Sequence, residues 1–514
     1  MRRLDADDIS VVLQHYLDSV LPAAGNGAPS PARIRKVLSD RRTAAALRRR
    51  LPGTIVAEFN AILSDEAYLR RLAEVVEERH RAGAEAPALR LAAHPLSPDE
   101  ARRLLPGEVN IAMLFNAEMV LVQDALHALA NDAAVESARV SGSGVNVLAV
   151  RLDWRTADRA HAARAIIVDR CGLPKQVAFR RPVPLHAAYV LHLKRLSERS
   201  THQRASAECR QAGLGEVNPH PCAALADDKW ATYRLWTVRA PLESQALHVP
   251  RTWLLKRTAR ADDARRTMQE ALAKVCAIYV QPRHGTEGRL VARFERAQAE
   301  AAARHAVDLI LPDDDAVIRE ARGNVCCLGA SGANGGEPRQ IALRVHVAWD
   351  GRRFVAESGF AQVAGDEAPD VASRGRGGSI VAIAEALSNL RHRDGAPCRW
   401  VPVTSRDLAE VRAACEAAAK ALNPCAQPRD YLKHIGLDVV LEATATGRLR
   451  PVLLEANARP AGLNHSRWLP DADAPGADLG VTRALFRGRA AWAGAGSRAG
   501  ASSSAATTAS SRRQ

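Results

Sequence analysis

The sequence predicts an α/β (α+β) chain, and three observations carry that expectation. Residues 1–104 show helical periodicity alone, whereas from Pro106-Gly107 onward short β-branched runs alternate with helix-like stretches. Two apolar runs near the end, Gly436-Leu-Asp-Val-Val-Leu-Glu442 and Pro451-Val-Leu-Leu-Glu-Ala-Asn457, are short and bounded by turn residues, as the arms of a hairpin are. The 514 residues leave room for about three domains of roughly 150 residues each, and a 47% hydrophobic content can fill several cores.

Taken in order, 8–17 and 57–80 place apolar residues at helical spacing, and the turn-rich 25–31 between them reads as a loop. Next come a buried strand at 109–115, a helix at 119–130, a second strand at 145–152 and an alanine-rich helix at 157–169. Gly142 and Gly144 precede the second strand without the spacing of a dinucleotide fingerprint, so a plain turn is expected. Beyond residue 216 the alternation resumes. The run 225–236 leads through a turn into 249–255, and a strand at 277–282 continues through a glycine-containing turn into another strand. Leu343-Arg-Val-His-Val-Ala-Trp349 turns at Asp350-Gly351 into a hairpin. Ser373-Arg-Gly-Arg-Gly-Gly-Ser-Ile380 is a loop with two arginines and three glycines. It reads as running at Gly377-Gly378-Ser379 into a helix whose N-terminus suits an anion. The glycines at 329–336 lack the Lys-Ser/Thr of a P-loop and read as a flexible connection. From about 494 the tail is of low complexity and expected to be disordered.

The chemistry gathers at the last hairpin. Side chains two apart on a strand face the same side, so Glu455 and Asn457 point together, with Asp438 on the neighbouring strand. Such an oxygen set suits Mg²⁺, which takes few protein ligands and keeps positions open for nucleotide phosphates. Arg344 and His346 share one face of their strand by the same alternation. A single histidine is weak grounds for function, so His346 is read as an ordinary strand residue.

The net charge of +15 invites an anionic partner, but arginines spread over solvated helices are the preferred account of it. No RNA-binding signature or Cys/His finger accompanies the charge, so nucleic acid is not the expected partner. Nine scattered cysteines, with no Cys-x-x-Cys pair, read as reduced thiols of a cytoplasmic protein. The N-terminal residues lack the apolar stretch of a signal peptide, and no run of about 18 apolar residues occurs, so no membrane association is expected.

Lys229 … Val249-Pro-Arg-Thr252, Tyr279-Val-Gln-Pro282 … Gly285-Thr-Glu-Gly288, Arg344-Val-His-Val347 … Asp350-Gly351, the glycine-rich loop, and Asp438 … Leu454-Glu-Ala-Asn-Ala-Arg-Pro460 follow one another in a fixed order. In that order they resemble the ATP-grasp superfamily, of the carboxylate–amine ligase type similar to glutathione synthetase and D-alanine–D-alanine ligase. The resemblance covers 216–475. It implies an ATP-grasp domain there with a lid subdomain at about 248–325, a small α/β domain at 105–215, a helical extension at 1–104 and a tail at 476–514.

The resemblance also implies ATP with Mg²⁺, or Mn²⁺ in its place. Asp438, Glu455 and Asn457 would be the metal ligands, and Arg344 and Arg459 catalytic cations. Lys229, Gln281, Gly285, Thr286, Gly288, Glu320 and Arg376 would be nucleotide-binding positions, with Arg374 beside them. Two departures stand out. The family usually has a lysine where this chain has Gln281, which hydrogen-bonds without charge, so either Arg283 or Lys256 compensates or nucleotide affinity is reduced. The asparagine often found in the glycine-rich loop is also missing. The expected activity joins a small-molecule carboxylate to an amine, of an amino acid or peptide, through an acyl phosphate. Phosphoryl transfer to a hydroxyl, or a non-catalytic nucleotide-binding or basic scaffold, is the alternative. The N-terminal helices are candidates for a homo-oligomeric contact.

Overall fold

The structure, a computed structural model, describes residues 17, 30–40, 44, 63–84, 90–168, 174–193, 198–243, 247–328, 337–468 and 482–488, with short gaps inside the longer stretches. The expected helix at 8–17 (all but Leu17), the loop at 25–29, Gly142, Thr286, Arg374, the glycines at 329–336 and the tail beyond 488 lie outside the described residues. Near the N-terminus, helix α1 (Pro31–Ser39) starts at Ser30, whose hydroxyl accepts from the Arg33 N–H at 3.3 Å. It packs on α2 (Glu66–Ala84), burying Ile34, Leu38, Leu69, Leu72 and Val76.

A first sheet comprises β1 (Arg90–Leu91), β2 (Val109–Phe115), β3 (Val145–Arg151), β4 (His161–Val168), β5 (Pro174–Pro184), β6 (Ala187–His192) and β7 (Gly215–Glu216), in the order β1-β5-β4-β3-β2-β6-β7. β2 pairs in parallel with β3 and β6, as the buried apolar runs foretell. Helices α3 (Pro98–Leu104) and α4 (Met119–Arg139) accompany it, and α4 runs nine residues beyond the expected 130. β1 and α3 belong with this sheet although they precede residue 105. A two-residue strand has no periodicity to read, and α3 is announced only by its capping box between Ser97 and Glu100.

The helix expected at 157–169 is instead strand β4. Its alanines favour a helix by a margin of roughly 0.7 kcal/mol per residue at most. Against that, Ile166, Ile167 and Val168 are β-branched and pair with β5, and Ala162, Ala165, Ile166 and Ile167 are buried in the sheet. The turn before it is held by Asp158, which accepts from the Ala160 N–H at 2.9 Å and the Thr156 hydroxyl at 2.6 Å.

Helices α5 (Glu198–Gln211), α6 (His220–Ala226) and α7 (Lys229–Glu243) lead to a four-stranded antiparallel sheet of β8 (Thr252–Leu255), β9 (Ala277–Pro282), β10 (Ala292–Glu295) and β11 (Ala316–Glu320), in the order β10-β9-β11-β8. Helices α8 (Ala261–Lys274) and α9 (Ala299–His305) cover one face, where Leu255, Met268, Leu272, Ile278, Val280 and Ile318 form a separate core. The other face looks toward a larger sheet built on β12 (Val325–Leu328), β13 (Pro338–Trp349) and β14 (Phe354–Val363). That sheet continues with β15 (Ser379–Val381), β16 (Arg391–His392), β17 (His434–Ala443), β18 (Leu449–Asn457) and β19 (Arg467–Trp468). Helices α10 (Ile383–Ser388) and α11 (Ser405–Ala421) line its back. The segment 377–379, expected to open a helix, enters the edge strand β15 antiparallel to β14, because the edge of β14 offers unpaired backbone groups there.

A last short helix, α12 (Arg483–Arg487), ties the two large sheets together. Glu357 of β14 is fully buried and accepts from the Ala484 N–H at 2.8 Å and from Arg487 at 2.9 Å, while Glu136 of α4 accepts from Arg483 at 2.9 Å. Burial pushes the Glu357 carboxyl up to about 7, against the opposing pull of Arg487 and the Ala484 N–H. The folded state thus holds this proton more tightly than the unfolded chain, whose carboxyl has the ordinary value of 4.5. Its stabilising contribution is complete below that value and is lost as pH rises through about 7. Glu357→Gln cannot ionise, and its thermal midpoint is expected to fall less than that of the wild type between about pH 5 and 8. Parallel melting curves would count against a titrating Glu357.

Candidate active site

Three neighbouring strands set the floor. Arg344 on β13 lies opposite Asp438 on β17, which lies opposite Glu455 on β18; Gly436 faces Asn457 one step along. Arg344 grips Asp438 with a fork, Nη2 donating to Oδ2 at 2.8 Å and Nε donating to the other oxygen. The arginine and aspartate that the resemblance assigns to different tasks are therefore bonded to each other. A β-carbon on Gly436 would stand 3.0 Å from Arg344 Cδ and 2.8 Å from Pro460 Cβ. Gly436→Ala must displace one of them and is expected to lower turnover on the order of 10- to 100-fold. Steady-state rates beside a thermal melt check this; wild-type turnover would show that the fork has room to move.

Asp438 and Glu455 lie opposite each other, so each carboxyl bears on the ionisation of the other. Burial pushes Asp438 up to about 6, against the downward pull of Arg344. Burial also opposes ionisation of Glu455, but Lys229 and Arg319 outweigh it and hold that carboxyl below the usual range. Asn457 donates its side-chain N–H to the Gly436 carbonyl at 3.4 Å, which leaves its amide oxygen as an acceptor. The donor set is thus two carboxylates and an amide oxygen. Among the described residues no group of three His, Cys, Asp or Glu side chains could hold a metal by itself. The set fits a hard divalent cation whose remaining positions are filled by phosphate oxygens, as Mg²⁺ prefers, rather than an all-protein cage.

Lys229, at the start of α7, bridges floor and lid. Its Nζ donates to the Gly285 carbonyl and lies 3.7 Å from Glu455 Oε2. Gly288, at φ +68°, brings the lid turn against the glycine-rich loop, where a β-carbon would sit 3.2 Å from Ser373 Cβ and 3.3 Å from Arg376 Cγ. Lys229, Gly285, Gly288 and Arg376 therefore meet at one end of the cleft, with the Arg376 side chain exposed. Gln281 is buried inside, on the lid face that looks at β18. Glu320, at the end of β11, accepts from the Arg251 N–H at 3.0 Å and lies 3.5 Å from Arg322.

Other sequence-assigned cations are engaged elsewhere. Arg459 turns away from the carboxylate pair into a buried network, donating to Glu198 and to Asp227 at 2.7 Å and to His202 Nδ1 at 2.8 Å. Its side chain is 7% exposed, and it joins α5 to the end of β18. Arg283 is consumed by Asp228 at 2.5 Å and Asp315 at 2.9 Å, and the exposed Lys256 also pairs with Asp315. Neither reaches the cleft. His346 is buried beside His434 and Phe360, with no partner for either ring nitrogen, and burial holds its pKa well below the ordinary value.

Sequence reading missed Arg319. It is the one charged side chain among the four buried residues of β11 (Ala-Val-Ile-Arg), and that break in an apolar strand was its only signal. It lines the cleft with Lys229 and Gln281 and donates from Nη1 to the Leu454 carbonyl at 3.0 Å. Glu442 was missed as well. It accepts from Arg322 at 2.5 and 2.6 Å and from Arg450 at 2.7 Å, anchoring the segment after β11, and these arginines overcome burial to hold its carboxyl down at about 2.

No helix among the described residues is long and apolar enough to cross a membrane. No family model and no curated protein matches the chain. Among solved structures it is similar to the VanG D-Ala:D-Ser ligase from Enterococcus faecalis, at 12% identity and a TM-score of 0.42, over 74% of this chain and 97% of that one. It is similar to the D-cycloserine synthetase DcsG at 17% identity and a TM-score of 0.36, over 75% and 98%. A third is the ATP-grasp ligase PsnB in complex with a minimal precursor variant, Mg and ADP, at 16% identity and a TM-score of 0.34, over 69% and 90%. The roles of individual side chains rest on the geometry above and not on these likenesses.

Proposed function

We propose that this protein is an ATP-grasp ligase that joins a carboxylate to an amine at the expense of ATP. The single observation that carries the reading is the convergence of Glu455, Asp438, Asn457, Lys229 and Arg319 between a lid sheet and a floor sheet. Nucleoside triphosphate would lie between the sheets, with its phosphates toward the carboxylates. Asp438, Glu455 and the amide oxygen of Asn457 would hold Mg²⁺, which when bound neutralises charge on the phosphate oxygens. Lys229 binds phosphate and draws the Gly285 turn over it, excluding water. Arg344 fixes Asp438 and presents its guanidinium edge to the reacting carboxylate.

An oxygen of the substrate carboxylate attacks the γ-phosphorus, the bond to ADP breaks, and an acyl phosphate results. The amine then attacks the acyl carbon, the C–N bond forms, the C–O bond to phosphate breaks, and the amine proton leaves to solvent. No side-chain nucleophile is required, because positioning and charge stabilisation carry such chemistry. The observable is ADP release on screening carboxylates with amines, with the product weighed by mass spectrometry. A carboxylate labelled with ¹⁸O must pass one label to the released phosphate. Unlabelled phosphate would eliminate the acyl phosphate, and a phosphorylated hydroxyl product would replace the ligase reading with phosphotransfer.

A further inference from the structure

Two buried polar side chains of the lid line the cleft, each with one nitrogen that lacks a hydrogen-bond partner. Gln281 is 2% exposed and its Nε2 has no hydrogen-bond partner; Arg319 is 9% exposed and its Nε has none. Strand register explains why they meet. Gln281 on β9 lies opposite Val317 on β11, and Arg319 follows Val317 by two residues, so all three share the inward face while Val280 and Ile318 face the lid core. Across the cleft stand Lys229, Tyr233 and Leu454. Two of the side chains lining this space, Lys229 and Arg319, are cationic.

Leaving such donors buried and unpaired is costly, and a buried charge without a counter-ion costs more. Glu455 lies near enough to Arg319 for the two charges to be felt by each other, yet no ion pair joins them. Burial accordingly pulls the Arg319 guanidinium below its ordinary value. The position that the resemblance fills with a lysine holds the neutral Gln281, and the two cations that sequence reading nominated to replace it, Arg283 and Lys256, are spent on Asp228 and Asp315.

Building on the proposed nucleotide site, we infer that Arg319 carries the positive charge of the lid, and that with Gln281 it binds an oxyanion of the nucleotide's phosphate chain. The charge has been moved one strand over, from β9 to β11. The guanidinium keeps its Nη1 bond to the Leu454 carbonyl, and its unpaired Nε edge takes the phosphate oxygen while the Gln281 amide adds a neutral donor.

The test is a binding titration of metal-free wild type, Arg319→Met, Arg319→Lys and the double variant Arg319→Met/Gln281→Lys with ADP and with adenosine, read by calorimetry. Arg319→Met is expected to weaken ADP binding on the order of 10- to 100-fold, the value of one charge-assisted contact, and to leave adenosine binding unchanged. Lysine at 281 in the double variant should restore ADP affinity, and Arg319→Lys should lose less than Arg319→Met. A thermal melt of each unliganded variant, which gives up or alters the Nη1 bond to the Leu454 carbonyl, checks that it remains folded.

An equal loss for adenosine, or an ADP affinity within about threefold of wild type, which is less than one such contact is worth, would each overturn the inference. Wild type that binds ADP beside an equally competent Arg319→Met would remove this inference alone. Wild type that binds no adenine nucleotide would remove the functional reading and this inference with it.

Discussion

Glu455→Ala is expected to lose Mg²⁺-dependent ADP release on the order of 10³-fold while the protein remains folded. Glu455 is more open than Asp438, with its side chain 27% exposed against 10%. Asp438 is committed to the Arg344 fork, so Glu455 is the carboxylate best placed to exchange its neighbours for a divalent ion. Removing it costs little structure. It faces the Asp438 carboxyl and makes an ion pair with Lys229 at 3.7 Å, a contact worth about 1 kcal/mol or less. Mg²⁺ titrations of the rate, run beside a thermal melt, separate the two effects. An unchanged Mg²⁺ midpoint in the variant would place the metal elsewhere.

Arg344→Met is expected to have the largest effect on stability, a loss of about 3–5 kcal/mol, because it leaves Asp438 buried without its cation. Both side chains are nearly enclosed, at 13% and 10% exposure. The stranded carboxyl would relieve itself by taking a proton, raising the Asp438 pKa further above its ordinary 3.8. A raised carboxyl contributes stability at low pH and loses it as pH rises through the folded value, so the variant's deficit should be greater at about pH 8 than at about pH 5. Arg344→Met/Asp438→Leu removes both charges and should recover most of the stability without recovering turnover. Urea unfolding of the wild type, Arg344→Met and the double variant at both pH values decides it. If the double variant is as unstable as the single one, the fork is not what holds these strands in place.

Strand-to-strand relations were legible wherever turn chemistry and alternation agree. Asp350-Gly351 joins β13 to β14 as expected, and Glu455 does share its face with Asn457 opposite Asp438, because a side-chain period of two leaves no other solution for a hairpin with apolar arms. Legibility failed where local preference and tertiary pairing disagree. The alanines of 161–168 read as helix and became strand, since the free edges of β3 and β5 outweighed propensity. Residues 377–379 read as a helix start and became an edge strand for the same reason.

The sequence by itself determined the α/β alternation, the hairpin that holds the oxygen ligands and the segments from which a nucleotide cleft could be built. These are local properties, set by periodicities and turns within a few residues. Only the tertiary structure decided which charges are available. It paired Arg344 with Asp438 across 94 positions, sent Arg459 to Glu198 and Asp227, spent Arg283 on Asp228 and Asp315, and left Arg319 facing the cleft. Whether a buried cation is spent or free depends on partners brought from distant strands, and no sequence spacing encodes that.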